Sequence, residues 1–301
     1  MITILGTGRM GSAIARRLAS GGLELTLWNR TREHATALGI GRVVDTPAEG
    51  AAAADIVISS LTGPEALSAV YLGSGGALET TNHPLYVDMS TAGPDAVAAL
   101  EPRITAAGSR LIDVPILGGP TFVEAGRATL LAGGDQADVE RARPVLERLG
   151  TVRHVGATGS AARLKLIANS MLGLVTAGAA ELQAGGVNAG LDPEEVFWVL
   201  TRVVPNLEAR HDGYVGSGQH PTLFALRDLR KDLALAGAML GPDASILSLN
   251  ARTRQLVEEA ARAFPDEDIS ALVRRYRRNG TAPKATSAPG RAGATSGAGG
   301  S

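Results

Sequence analysis

Two hydrophobic periods divide the chain. Short apolar runs at 2–5, 24–28, 56–60, 85–88, 111–116, 128–132 and 153–155 predict strands. The run at 56–60 is continuous enough for a central parallel strand covered on both faces. Residues 12–18 and 137–149 read as helices between strands, and another helix starts near Pro94. After Gly156 the spacing turns helical almost throughout, over about 160–188, 192–203, 222–241, 243–263 and 266–278. An α/β half is therefore followed by an all-α half. Residues 279–301 are, after Asn279, Gly, Ala, Ser, Thr and Pro with two basic residues. They cannot bury a core and read as a disordered tail.

The long helix from Ser160 carries the first candidate chemistry. Gly156, Gly159 and Ser160 read as a loop and N-cap. Lys165 and Asn169 are four residues apart and share one helical face. From Leu166 to Ala180 only Asn169, Ser170 and Thr176 are neither apolar nor Gly, which predicts a largely buried helix. Burying an ammonium is costly and lowers a lysine pKa. Such a lysine exchanges protons near neutral pH. A lysine that snorkels to the surface or pairs with a carboxylate has the same local pattern.

Gly6-Thr7-Gly8-Arg9-Met10-Gly11 follows the first strand and opens a helix. This is the context that a Gly-x-Gly-x-x-Gly dinucleotide loop requires. The first glycine makes the turn, the second admits a pyrophosphate, and the third lets helix pack on strand. The helix N-terminus offers free amides and a positive dipole end to the phosphates. Residues 1–157 are thus expected to form a Rossmann domain and 158–278 a helical domain. An NAD-preferring site carries an acidic residue about 20 positions after the glycines. Here the second strand ends in Asn29-Arg30-Thr31-Arg32. Arg30 can pair with a 2′-phosphate, with Thr31 beside it, so NADP(H) is expected over NAD(H).

Further candidates lie at strand C-terminal ends, where such sheets bind ligands. Leu61 and Thr62 follow the strand at 56–60. Ser90 and Thr91 follow the strand at 85–88 and can donate to substrate or nicotinamide, or cap the next helix. Leu117, Gly118 and Gly119 follow the strand at 111–116. Adjacent glycines present bare amides that suit a carboxylate, or make only a turn. In the helical half, Lys231 and Asp232 interrupt an apolar stretch; alone they read as a surface ion pair.

Composition narrows the classes. The 301 residues are 45% hydrophobic and 20% charged, enough for a proper core, with 3% aromatics. A net charge of −1 gives no case for nucleic acid or an anionic membrane surface. There is no cysteine, so thiolate nucleophiles and cysteine-held metals are excluded. The five histidines are scattered, which argues against a metal site. The apolar run at 166–180 is too short to span a bilayer. With no leader pattern at the N-terminus, a cytoplasmic protein is expected.

Together these segments resemble the β-hydroxyacid dehydrogenase family, which includes 3-hydroxyisobutyrate dehydrogenases and glyoxylate and succinic semialdehyde reductases. The resemblance covers about residues 1–278 and rests on four ordered motifs: 6–11, Asp113 to Gly126, Gly156 to Asn169, and Lys231-Asp232-Leu233. It implies that Lys165 is the catalytic acid/base and that Asn169 orients substrate. It also implies that Gly118 and Gly119 hold a substrate carboxylate, that Ser90 and Thr91 lie near the nicotinamide, and that Lys231 lies over the cofactor. A homodimer or homotetramer through the helical half follows from the same likeness. Leu117 replaces the family's serine, which suggests a more apolar or less anionic substrate. Imine reductases share the architecture and an apolar residue there, but usually lack the lysine. A non-catalytic NADP-binding module is the third reading, and such relatives tend to lose the lysine too.

Overall fold

The computed structural model describes residues 1–216, 220–241 and 248–277. The tail at 279–301 and the start of the helix expected at 243–263 lie outside the described residues.

The first half alternates strand and helix. Its elements are β1 (Ile2–Leu5), α1 (Arg9–Ser20), β2 (Leu25–Trp28), α2 (Arg32–Thr36), β3 (Arg42–Val43), α3 (Pro47–Ala52), β4 (Ile56–Ser59) and α4 (Pro64–Leu72). They continue as β5 (Leu85–Asp88), α5 (Pro94–Ala106), β6 (Arg110–Asp113), β7 (Ile116–Leu117), α6 (Pro120–Glu124), β8 (Ala128–Gly133), α7 (Gln136–Leu146) and β9 (Gly150–Gly156). The strands form one sheet in the order β3-β2-β1-β4-β5-β6-β8-β7, with β9 on β8. From β3 to β6 all pairings are parallel. This is the dinucleotide-binding order, with its switch point between β1 and β4. β1, β4 and β5 are buried at every position because helices cover both faces. One apolar cluster joins Ile4, Ile14, Leu27, Val87 and Leu146, and a second on the opposite face joins Leu5, Val57, Leu67, Tyr86 and Ile104.

The strand expected at 111–116 is two strands. Pro115 has no N–H for a ladder, and the chain turns after Asp113. β6 continues the parallel sheet, whereas β7 pairs antiparallel with β8, Leu117 opposite Thr129. This turn is what carries Leu117 and the two glycines away from the parallel ladder.

The second half is helical, with α8 (Ser160–Asn188), α9 (Pro193–Val203), α10 (His211–Tyr214), α11 (Leu226–Leu240) and α12 (Ser248–Ala263). The segment expected as a helix at 266–278 is instead a 3₁₀ run, Ile269–Arg275. Ala180, Phe197, Leu229, Leu233, Val257 and Leu272 form its core. α8 packs on the sheet through β8 and on α11, α12 and α9. It therefore belongs to both halves. Against the expectation of a largely buried helix, one side of α8 stays open: Leu164, Ile167, Met171 and Leu182 are exposed. Among the described residues no helix is long and apolar enough to cross a membrane.

Ser160 is not the cap of α8. Gly159 holds that position with φ +87°, and Ser160 is the first helical residue. The capping carboxylate comes from the sheet. Asp113, at the end of β6, accepts from Gly159 N and Ala162 N at 2.7 Å each. Two free amides at the helix start meet a buried negative charge. Burial pushes this carboxyl up to about 6, against the pull of those amides. Asp113→Ala should cost about 1–3 kcal/mol, because buried amides lose their acceptor. Thermal or urea unfolding checks this; an unchanged midpoint would show that the cap carries no stability.

Candidate active site

The cofactor loop is built by glycine geometry. Gly6 has φ +97°, and a Cβ there would sit 2.4 Å from Ser60 O. A Cβ at Gly11 would sit 1.9 Å from Gly6 O, so only glycine closes the turn onto α1. At Gly8 a Cβ would meet nothing within 4 Å, so bare backbone faces open space at the N-terminus of α1. That cradle fits a pyrophosphate. Thr7 is buried and donates its amide to Asn29 Oδ1 at 2.9 Å, while Asn29 Nδ2 donates to Thr31 O at 2.8 Å. Asn29 thus ties the loop to the end of β2. Arg30 and Thr31 are exposed beside it. Arg32 is occupied by Asp45, whereas Arg30 forms no ion pair among the described residues. Met10 packs partly into the core. Arg9 reaches away from the loop, to Thr222 O at 2.6 Å and Asp228 at 3.5 Å, and so joins the loop to α11.

The loops after β4 and β5 are held from below by a buried carboxylate. Asp88 Oδ1 accepts from Ser59 Oγ at 2.8 Å and from Ser90 N at 3.1 Å. Ser59 Oγ also meets Tyr71 OH at 3.0 Å. Ser90 Oγ accepts from Leu61 N at 2.9 Å, so the Ser90 hydroxyl oxygen braces the neighbouring loop and does not cap α5. Leu61 lies over Gly6, and Thr62 is exposed at the loop tip. Burial raises the Asp88 carboxyl, while hydrogen bonds from Ser90 and Ser59 oppose this.

α8 and α11 meet these loops with four polar side chains. Lys165 is half-buried and donates to Ile116 O at 2.7 Å. Burial holds its ammonium down at about 8; the Lys231 charge lowers it further and Asp232 opposes. Asn169 Nδ2 donates to Asp232 Oδ2 at 2.5 Å. Asp232 is buried, and burial raises its carboxyl against the two lysines and Asn169. Lys231 donates to Thr91 O and forms an ion pair with Asp232 Oδ1 at 2.7 Å that lacks hydrogen-bond geometry. Its stem also runs past Gly63. The surface-pair reading of Lys231 and Asp232 is therefore overturned: the aspartate is interior and both face the sheet edge. Leu117 is half-buried just beyond Ile116. Gly118 has φ +124°, and a Cβ at Gly119 would meet nothing within 4 Å.

Contacts thus link Lys165 to the strand end before the Leu117–Gly119 turn, Asn169 to Asp232, and Lys231 to Thr91 and the loop after β4, beside the cofactor loop that Arg9 ties to α11. Asp88, Asp113 and Asp232 are the residues whose roles were missed from sequence. Their signal was available: each acidic residue terminates or interrupts an apolar element, where a charge requires partners.

Fold and cofactor loop define a dinucleotide-binding protein, and the similarity to known proteins shows an NAD(P)-dependent oxidoreductase acting on a CH–OH group. A family model for the NAD binding domain of 6-phosphogluconate dehydrogenase matches residues 1–159. Another, for the NAD-binding region of NADP-dependent 3-hydroxyisobutyrate dehydrogenase, matches residues 159–276. The chain belongs to the β-hydroxyacid dehydrogenase family, of the 3-hydroxyisobutyrate dehydrogenase type. It is 32% identical to 3-hydroxyisobutyrate dehydrogenase of Pseudomonas aeruginosa, over 92% of this chain and 98% of that one. It is 30% identical to glyoxylate/succinic semialdehyde reductase 2 of Arabidopsis thaliana, over 90% and 78%. The solved structure of Psf3 in complex with NADP+ and 2-OPP aligns with a TM-score of 0.84 at 27% identity, over 91% and 99%.

Proposed function

We propose that the protein interconverts a small 3-hydroxyacid, or a related alcohol, and its aldehyde or ketone, prefers NADP(H), and uses Lys165 as its proton donor and acceptor. The observation that carries this reading is the lysine itself: an ammonium lowered to about 8 and held on Ile116 O, two residues before Gly118. When bound, the nicotinamide supplies the hydride for reduction and takes it up in oxidation. Lys165 gives a proton to the substrate oxygen in the first direction and, neutral, accepts it in the second. Asn169 is oriented by Asp232, which leaves its carbonyl oxygen for the substrate hydroxyl. The amides of Gly118 and Gly119 hold the carboxylate. Lys231, anchored on Thr91 O, lies over the cofactor. The same reading includes a dimer or tetramer through the helical half, where Met171, Leu182, Trp198 and Val203 are exposed.

Leu117 favours a second reading, imine reduction, because an apolar residue at that turn offers no donor to an oxyacid. Retention of Lys165 weighs for the first. Purified protein with NADPH should reduce glyoxylate and succinic semialdehyde faster than a preformed cyclic imine. The opposite order, followed at 340 nm, would move the assignment to imine reduction.

A further inference from the structure

Beside the Gly118–Gly119 turn stands a side chain with no role in the chemistry above. Phe122 is 49% exposed. Among the described residues of the sheet half, only Met1 and Leu72 are other large exposed apolar side chains, at 52% and 38%. Phe122 sits on α6, whose N-cap is Gly119. A Cβ built on Gly118 would lie 3.2 Å from Phe122 Cβ and 3.5 Å from its Cγ. The root of the aromatic ring therefore rests against Gly118, the first of the paired glycines.

The ring stands on rigid backbone. Val123, its neighbour, is fully buried, and α6 packs on α1. Phe122 N donates to Gly119 O at 3.0 Å, and Arg127 N donates to Phe122 O at 2.8 Å. The Arg127 guanidinium lies 5.8 Å from the ring centroid. Leu117 precedes the glycines in the chain and is a second apolar residue at this turn. The paired glycines thus lie along the chain between an isobutyl and a phenyl side chain, and the phenyl is open to solvent. Exposed aromatic surface next to a carboxylate-binding turn is matched by an apolar group on the carbon next to that carboxylate.

We propose that Phe122 is a specificity-determining residue that selects substrates with a bulky or flat apolar group on the carbon between the carboxylate and the reacting CH–OH. This rests on the hydroxyacid reading above. The reaction itself is unchanged: the CH–OH carbon loses a hydride to NADP+, and the hydroxyl proton passes to Lys165. Aromatic pairs gain beyond their buried area, so a phenyl substituent should be favoured over a methyl one.

The test compares NADP+-dependent oxidation of 3-hydroxy-2-methylpropanoate and 3-hydroxy-2-phenylpropanoate by the full-length protein. Wild type should show the higher kcat/KM on the phenyl compound. Phe122→Ala should lower that value about ten-fold, mainly through KM, and leave the methyl compound within about two-fold. Phe122→Leu should fall between them. An unchanged Tm in both variants shows that the fold is intact, as expected for an exposed side chain. A wild-type preference for the methyl compound, or the same phenyl-to-methyl ratio in Phe122→Ala, overturns the proposal and leaves the dehydrogenase assignment standing. If wild type oxidises neither compound, the hydroxyacid reading fails. Calorimetric binding of the phenyl acid to the NADP+-loaded protein then decides: weaker binding in Phe122→Ala supports the role of the ring, and equal binding overturns it.

Discussion

Lys165→Met should lower kcat for carbonyl reduction by about 10²–10⁴, the usual contribution of positioned proton transfer. The methionine keeps much of the volume and removes the proton. NADPH affinity, followed by fluorescence or calorimetry, should change little, so the loss falls on the chemical step. The pH profile adds a signature that a packing role would not produce. Burial holds Lys165 down at about 8. Below that value it is an ammonium and can donate; above it, it is neutral and can accept. Reduction should therefore decline as pH rises through about 8, and oxidation should rise over the same range. Both inflections should vanish in Lys165→Met. An anionic substrate moves the inflection upward, because a negative neighbour favours the ammonium. Near wild-type reduction by Lys165→Met would remove the lysine from the mechanism. If carbonyl reduction is lost while a preformed cyclic iminium is still reduced, imine reduction gains, since no proton on oxygen is then required.

Arg30→Ala should weaken NADPH binding by roughly 10- to 150-fold, equivalent to about 1.5–3 kcal/mol for a charge-assisted hydrogen bond. NADH binding should stay nearly unchanged. Arg30 is exposed at the end of β2 and, among the described residues, has no carboxylate partner. Its neighbour Arg32 is already paired with Asp45. Asn29, where an acidic residue would repel a 2′-phosphate, is engaged with the loop amide of Thr7. Equal losses for both cofactors would mean that Arg30 serves the loop and not the phosphate. Raising the salt concentration should narrow the difference between NADPH and NADH, because the contact is exposed.

Several features were legible from local pattern alone. The strand, glycine loop and helix at 2–18 could be read because each requirement is local: an apolar run, a turn that excludes side chains, and a helix face. The length of α8 was legible for the same reason, since its helical period is unbroken to Asn188. The break at Pro115 was misread as one strand. Apolar continuity does not show which partner a strand takes, and β7 pairs with β8 instead of continuing the parallel ladder. The segment after 266 was misread as α-helix because a short 3₁₀ run has a similar apolar spacing.

By itself the sequence determined the two-part architecture and the glycine turn between β1 and α1, and it singled out Lys165, Asn169 and the paired glycines as candidates. Those follow from periodicity and from backbone conformations that few residues adopt. Only the tertiary structure decided how these residues meet. Asp113 on β6 caps a helix that begins 47 residues later, at Ser160. Asp232 on α11 reaches Asn169 on α8 across 63 residues, and Lys231 reaches Thr91 across 140. Ser90 proved to brace Leu61, and Arg9 to clasp α11. A buried carboxylate is stable only beside donors, and those donors come from distant elements that no local pattern connects. Folding brings them together, and the same desolvation that demands partners for Asp88, Asp113 and Asp232 lowers the ammonium of Lys165 toward neutrality.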